Sequence, residues 1–492
     1  LHAGGHRFEP DKLHHINKEA TLEWLLFYER GIMLNLKENK HFYLQVLAIA
    51  VPFMLQQLIT SSVNLVDNLM VGQLGDAAIA GVAAANRFYM IATFGIFGVG
   101  GAMSIFLAQY YGAKDEEHVK QTFRYGVISA YVIVAPFVLL GLFFPEQILG
   151  FYTKEADVIL MGSTYIKIAI ITYIPMALSM TISNAMRSMG ETKIPLYSSI
   201  ASIITNAVFN YILIFGHFGF PRLGVAGAAY ATIIARMLEV VIFLVVTQRL
   251  PFMFKTAVKD LFKISRKLIK TITIKAIPLT VNEIFWSGGM SILFMFYSTR
   301  GKEVMAGMSI SGTVADLFFT LFGGMAVAST VFVSQVLGAN KLDEARSNAY
   351  RLIRFSVMLA ALFGSMMFVS SYFAPLLYNV TEVSRHTAAT FLRIQSFMFW
   401  IYMANAQCFF ILRAGGDTKS TLLMDSVFMW LVNLPAVGLV TYLTGWNVFA
   451  IYLVGQSTDF VKFIVAYGLV RKEHWVKNLA HSHEEQVVDF EV

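Results

Sequence analysis

The sequence predicts an all-α membrane protein with twelve transmembrane helices in two pseudo-symmetric six-helix bundles. Composition, run length and an internal repeat predict it. Of 492 residues, 57% are hydrophobic and only 14% charged, and the mean hydropathy is +0.61. Soluble domains carry about 25% charged residues. Apolar runs follow one another along the chain, each meeting the roughly 20 residues that a helix needs to cross a bilayer core. Barrel strands alternate polar and apolar over about ten residues. These runs are apolar all round, which leaves helices as the spanning structure.

The repeat has one register. "AQYYGAKDEEHV" (108–119) resembles "SQVLGANKLDEA" (334–345), "YIKI" (165–168) resembles "FLRI" (391–394), and "RSMGETK" (187–193) resembles "RAGGDTK" (413–419). Each pair is 226 residues apart. The same offset pairs Pro52 with Pro278, Gly75 with Gly301, Gly81 with Gly307, Gly98 with Gly324 and Gly219 with Gly445. A six-span unit is therefore duplicated. Six is even, so both units enter from one side and their pseudo-two-fold axis runs along the membrane normal.

In chain order, residues 1–42 form a cytoplasmic segment without the apolar core of a signal peptide. Within it "TLEWLLFYERGIML" (21–34) could lie on the membrane as a short helix. The first lobe is 43–249, with spans near 43–71, 78–111, 121–144, 157–187, 193–216 and 222–249. The linker 250–270 is basic, and its 255–270 stretch suits an amphipathic helix against anionic lipid. The second lobe is 271–470, with spans near 271–299, 304–337, 347–374, 386–413, 420–444 and 447–470. Residues 471–492 form a cytoplasmic tail. One set of loops holds fourteen Lys and Arg and the alternate set five. The positive-inside rule makes the first set cytoplasmic, with both termini.

The net charge of +7 sits between spans, which argues against a nucleic-acid partner. The single Cys408 allows neither a disulfide framework nor a cysteine metal site. No P-loop, zinc motif or nucleophile elbow occurs. The chain reads as neither an enzyme nor a cofactor protein, and transport by it would be ion-driven or passive.

A carboxylate in mid-span costs about 2.5–3.5 kcal/mol on insertion scales, so each one calls for a partner or a purpose. Glu239 has Arg236 three residues before it and Asp459 has Lys462 three after it, so both can pair along their own helix. Glu283, in "KAIPLTVNEIFWSGG", has no such base. Burial disfavours its charged form, which makes it a candidate to exchange a proton or hold a cation. Asp67, in "SVNLVDNLMVG", also lacks a local base, with snorkelling as the rival reading. Asp316, among small polar neighbours, suits a cavity wall or a helix contact. Asp425 reads as interfacial. Asn206 and Asn210 share a face of span 5, as helix glue or as carbonyl ligands for an ion. Lys167 and Arg393 are repeat mates with one structural role. Pro52 and Pro278 would bend spans 1 and 7. Flexible Met and aromatic rings would suit an apolar cavity for greasy cations.

"IAVPFMLQQLITSSVNLVDNLMVGQLGDAAIAGVAAANR", "YYGAKDEE", "RSMGETKIPL", "NAVFNYILIFG", "GVAGAAYAT" and "RAGGDTK" together resemble the multidrug and toxic compound extrusion (MATE) family, over about residues 43–475. The resemblance implies a V-shaped pair of six-helix lobes exporting organic cations in exchange for H⁺ or Na⁺. It implies that Asp67 belongs to an ion site in the first lobe, with Asn206 and Thr232 as partners. Asn210 stands where several members have Asp, which weakens a tight Na⁺ site. Glu283 lies on the span where other branches carry an essential Glu.

The expected protein is thus a monomeric efflux antiporter in a bacterial inner (plasma) membrane. Its partners are small organic substrates and lipids, its coupling ion H⁺ or Na⁺, and its ion-responsive acids Asp67 and Glu283. Alternatives are a lipid or lipid-linked glycan flippase, disfavoured by few buried basic residues, and a passive channel.

Overall fold

The computed structural model describes residues 36–378 and 380–480. The chain divides into two compact units, Leu1–Ala48 and Ile49–Val492. Of the first, only the helical stretch from Leu36 is described, so the surface helix expected over 21–34 lies outside the described residues. All that follows concerns the second unit.

Twelve helices are long and apolar enough to cross a membrane. The first six are α1 (Leu36–Gly72), α2 (Asp76–Gly112), α3 (Glu116–Phe143), α4 (Ala156–Ser188), α5 (Lys193–Phe215) and α6 (Val225–Arg249). The second six are α7 (Arg266–Ser298), α8 (Glu303–Gly338), α9 (Leu342–Ser370), α10 (Glu382–Ala414), α11 (Thr418–Leu443) and α12 (Val448–Arg471). Each overlaps an expected span, and no strand occurs among the described residues. Side-chain caps sharpen the starts. Asp115 accepts the His118 amide at 3.0 Å, Thr381 that of Ser384 at 3.3 Å, and Asn447 that of Ala450 at 2.9 Å. Large apolar side chains such as Phe143 and Ile464 stay exposed, as a bilayer requires. Cys408 is fully buried.

The repeat recurs as geometry. Lys114 and Asn340, 226 apart, both take a left-handed backbone, at φ 61° and 60°. Gly75 and Gly301 start α2 and α8 at φ 105° and 117°, where a side chain would be strained. The mates Lys167 and Arg393 meet residues that are themselves mates. Lys167 lies 3.7 Å from Glu146, and Arg393 packs over the Tyr372 ring at 4.6 Å.

The two halves meet along a seam with the same symmetry. A Cβ on Gly98 of α2 would fall 2.6 Å from the Thr280 Cα of α7, and one on Gly324 of α8 would fall 2.7 Å from Met54 Cγ of α1. At the ends of α2 and α8 the approach is closer still. A Cβ on Gly112 would lie 1.9 Å from the Gln335 carbonyl oxygen, and one on Gly338 would lie 1.9 Å from that of Gln109. Gln109 Nε2 donates to the Ala414 carbonyl at 3.4 Å, and Gln335 Nε2 to that of Ser188 at 2.6 Å. This end of the seam, on the side of the basic loops, is sealed. The segment after α12 lies across it. Trp475 is fully buried, the Leu479 amide donates to Gln109 Oε1 at 2.6 Å, and Asn478 Nδ2 donates to the Gly338 carbonyl at 3.3 Å.

Two expectations are corrected. The 255–270 stretch is not an amphipathic helix. It holds one short turn, Val258–Asp260, before α7 begins at Arg266. Arg124 of α3 takes up its polar groups, donating to Thr256 Oγ1 and to the Lys263 carbonyl, both at 2.8 Å. Phe254 is buried against Phe123. Pro52 and Pro278 do not interrupt their spans, since α1 and α7 run through them as continuous helices.

Candidate functional site

The largest cavity lies in the first half, with a volume of about 630 Å³. That falls within the roughly 300–1,000 Å³ of small-molecule sites. Its walls carry aromatic rings, including Phe88, Tyr89 and Tyr173, and the methionines Met90, Met176 and Met180. The hydroxyl of Tyr89 donates to the Met176 sulfur.

Asp67 reaches this cavity from α1 and meets the expected polar partners. Asn210 Nδ2 donates to Asp67 Oδ1 at 2.7 Å and to Asn206 Oδ1 at 3.2 Å. Asn206 Nδ2 lies 3.4 Å from Thr232 Oγ1. The i, i+4 spacing puts both asparagines on the one face of α5 that meets α1 and α6. In this orientation the Asn206 oxygen faces both carboxylate oxygens of Asp67 at 2.9 and 3.0 Å, which requires a proton or cation between them. With the amide turned, its nitrogen donates to the same two oxygens. Asn210 Oδ1 is buried with no hydrogen-bond partner among the described residues. The cluster thus offers an oxygen-rich setting with one carboxylate, which suits a proton or a hard monovalent cation.

Opposite lies the expected pair on α6, Arg236 Nη1 to Glu239 Oε2 at 2.8 Å. Arg187, absent from the sequence expectations, also lines the cavity. Its Nη2 donates to Gln56 Oε1 at 3.0 Å, and its guanidinium sits over the Phe53 ring at 4.7 Å. The wall therefore carries Asp67 and Glu239 against Arg187 and Arg236, and is formally neutral.

Neither Glu283 nor Asp316 lines this cavity. Glu283 is half-buried on α7, with Arg413 of α10 and Asp425 of α11 in electrostatic range. Asp316 is exposed on α8. Two local readings of charge are corrected. Asp425 is not interfacial: its side chain is 17% exposed, 2.7 Å from Lys462 Nζ, and takes a hydrogen bond from Asn282 Nδ2 at 3.1 Å. Lys462 thus pairs across helices rather than with Asp459, which accepts from Asn405 instead at 3.2 Å. The repeat carried the missed signal. Gln56 and Ser199, mates of Asn282 and Asp425, hydrogen-bond at 2.6 Å in the first half.

The sequence profile of the MatE family matches residues 52–212 and 278–468. The two matches begin at Pro52 and Pro278, one repeat length apart. The probable multidrug resistance protein YoeA of Bacillus subtilis is 25% identical over 85% of this chain and 91% of its own length. The probable multidrug resistance protein NorM of Halalkalibacterium halodurans is 27% identical over 79% of this chain and 85% of its own. A MATE crystal structure in the bent conformation superposes with a TM-score of 0.79 at 16% identity, covering 87% of this chain and 94% of that one.

Proposed function

The chain belongs to the MatE family, and on that premise we propose that it is a multidrug efflux antiporter of a bacterial plasma membrane. It expels amphipathic, often cationic, organic compounds in exchange for H⁺ or Na⁺. Both termini face the cytoplasm, on the side of the basic loops. The observation that carries the reading is Asp67 among Asn206, Asn210 and Thr232 on the wall of an aromatic cavity.

Because that wall is formally neutral, selectivity for cations comes from ring faces and from Asp67 rather than from net charge. With Asp67 ionised and the Asn206 nitrogen turned away, the carboxylate is available to a substrate cation. When a proton or Na⁺ binds between Asp67 and the Asn206 oxygen, that charge is neutralised and the substrate is released. Glu283, facing Arg413 in the second half, is the second ion-responsive acid. Alternating access rocks one six-helix half against the other about the seam.

The test is ethidium efflux from proteoliposomes with ΔpH and ΔNa⁺ imposed separately. Wild type runs uphill under one gradient, whereas Asp67→Asn and Glu283→Gln each fall towards the passive rate. If both variants keep the wild-type rate and ion dependence, the assignment of these acids is wrong. The arginines on the cavity favour one rival, a lipid flippase. Headgroup flipping without dye efflux would establish it.

A further inference from the structure

A second, smaller cavity of about 170 Å³ lies between the two halves, beside the sealed end of the seam. It shares Phe53, Phe97, Asn184 and Arg187 with the larger cavity. Most of its lining residues come in pairs 226 apart, among them Ser104 with Thr330, Gly101 with Val327, and Arg187 with Arg413. The cavity therefore sits on the pseudo-two-fold axis, and each half supplies one guanidinium to it.

No carboxylate lines it among the described residues. Neither arginine has an Asp or Glu oxygen within the 4.0 Å of an ion pair among those residues. Arg187 feels Glu239 only at a distance, and Glu239 is already bonded to Arg236. Arg413 likewise feels Glu283 without touching it. Arg187 Nε is buried without a hydrogen-bond partner. Arg413 crosses the seam and rests on the α2 backbone, where a Cβ on Gly101 would fall 1.7 Å from its Nη2. Two guanidinium groups facing one enclosed space, without a paired anion, repel each other and are costly within a membrane. Arginine forks match phosphate and carboxylate oxygens in pairs. The volume is below the roughly 300 Å³ lower range of drug-sized sites, but it suits a small anionic group.

We propose that this cavity binds an oxyanion, a phosphate or carboxylate group, clamped between Arg187 and Arg413, with the Ser104 and Thr330 hydroxyls as further donors. Because each half contributes one arginine, the bound anion bridges the halves and holds the seam closed on the basic-loop side. It also draws Arg187 away from the larger cavity, which then favours a cation more strongly.

The test is calorimetric titration of the purified full chain, in neutral detergent and phosphate-free buffer. One arm uses sodium phosphate against sodium chloride at matched ionic strength. The other uses short-chain phosphatidylglycerol against the corresponding phosphatidylcholine. Wild type binds at least one anionic probe, and Arg187→Gln or Arg413→Gln weakens that binding by about ten-fold. The double variant loses it. Gly101→Ala, which displaces Arg413 without removing a charge, weakens it as well, while Lys341→Gln on the exposed surface leaves it unchanged. Phosphate binding identifies a free oxyanion as sufficient, and binding of the lipid alone identifies a headgroup. No binding of either probe by wild type, or wild-type affinity in the double variant, overturns the proposal.

Discussion

Lys462 and Asp425 sit 2.7 Å apart with side chains 18% and 17% exposed, and such a pair is fragile to half-removal. Removing one partner of a buried pair costs about 3–5 kcal/mol, because the other charge is left uncompensated. Lys462→Met should therefore lower the thermal unfolding temperature in detergent. Adding Asp425→Leu should restore most of the loss, although Asn282 then loses an acceptor. A double variant no more stable than the single one would mean that the pair does not act as a unit. This pairing was hidden from the sequence for a definite reason. Spacing along one helix proposes Asp459 for Lys462, and only tertiary packing brings Asp425 to it. The same reasoning succeeded for Arg236 and Glu239, whose pair is local. Asp67 became a site residue through family resemblance, since nothing in its own neighbourhood distinguishes it from a snorkelling acid.

At the scale of elements, all twelve spans were legible because length and hydropathy determine them. The interruptions inside them were not. α8 contains a π-helical stretch at Thr330–Gln335, and α11 contains two, Leu423–Val427 and Met429–Asn433. A π turn carries an extra residue, and that shifts the repeat register locally. Thr232 and Thr458 are mates, and each takes a hydrogen bond from an asparagine on the preceding helix. Those asparagines are Asn206, at 3.4 Å, and Asn433, at 2.6 Å, and they are 227 residues apart rather than 226. A fixed offset pairs Asn206 with Val432 and misses the equivalence. The basic linker failed as a helix for another reason: Arg124 and the Phe254 packing satisfy it in an irregular form. The seam gives an element-level prediction. Gly338→Ala forces a Cβ against the Gln109 carbonyl, so the ends of α2 and α8 must separate. Uphill dye efflux should fall sharply, with a faster passive leak from the liposomes. Gly150→Ala, which meets nothing within 4 Å, should keep the wild-type rate. Equal rates in the two variants would show that the close approach at the seam is dispensable.

For the whole molecule, backbone and polar groups follow different symmetries. The seam, the left-handed positions and the Lys167 and Arg393 contacts obey the repeat, while the acids do not. The mate of Asp67 is Leu293 and the mate of Glu283 is Gln57. A duplicated scaffold thus carries different chemistry in its two halves, and this much could be read from the offset before any coordinates. Arg187 and Arg413 could also be seen as mates within their motifs. That they face one space could not, because a repeat reports equivalence and not proximity.

Cys408, fully buried in α10, has a practical consequence. The 492 residues are nearly silent to thiol-directed probes, so spectroscopic reporters can be placed without first removing a native site. Phe151 and Leu377 are repeat mates at 92% and 82% exposure, one in each half. Spin labels on Phe151→Cys and Leu377→Cys give a single inter-half distance by pulsed electron resonance. Rocking of the halves predicts that this distribution shifts when substrate or the coupling ion is added, and one that stays fixed while transport proceeds would rule the motion out. The same buried sulfur, reached only when the helices around it part, makes the rate of its own alkylation a clock for unfolding.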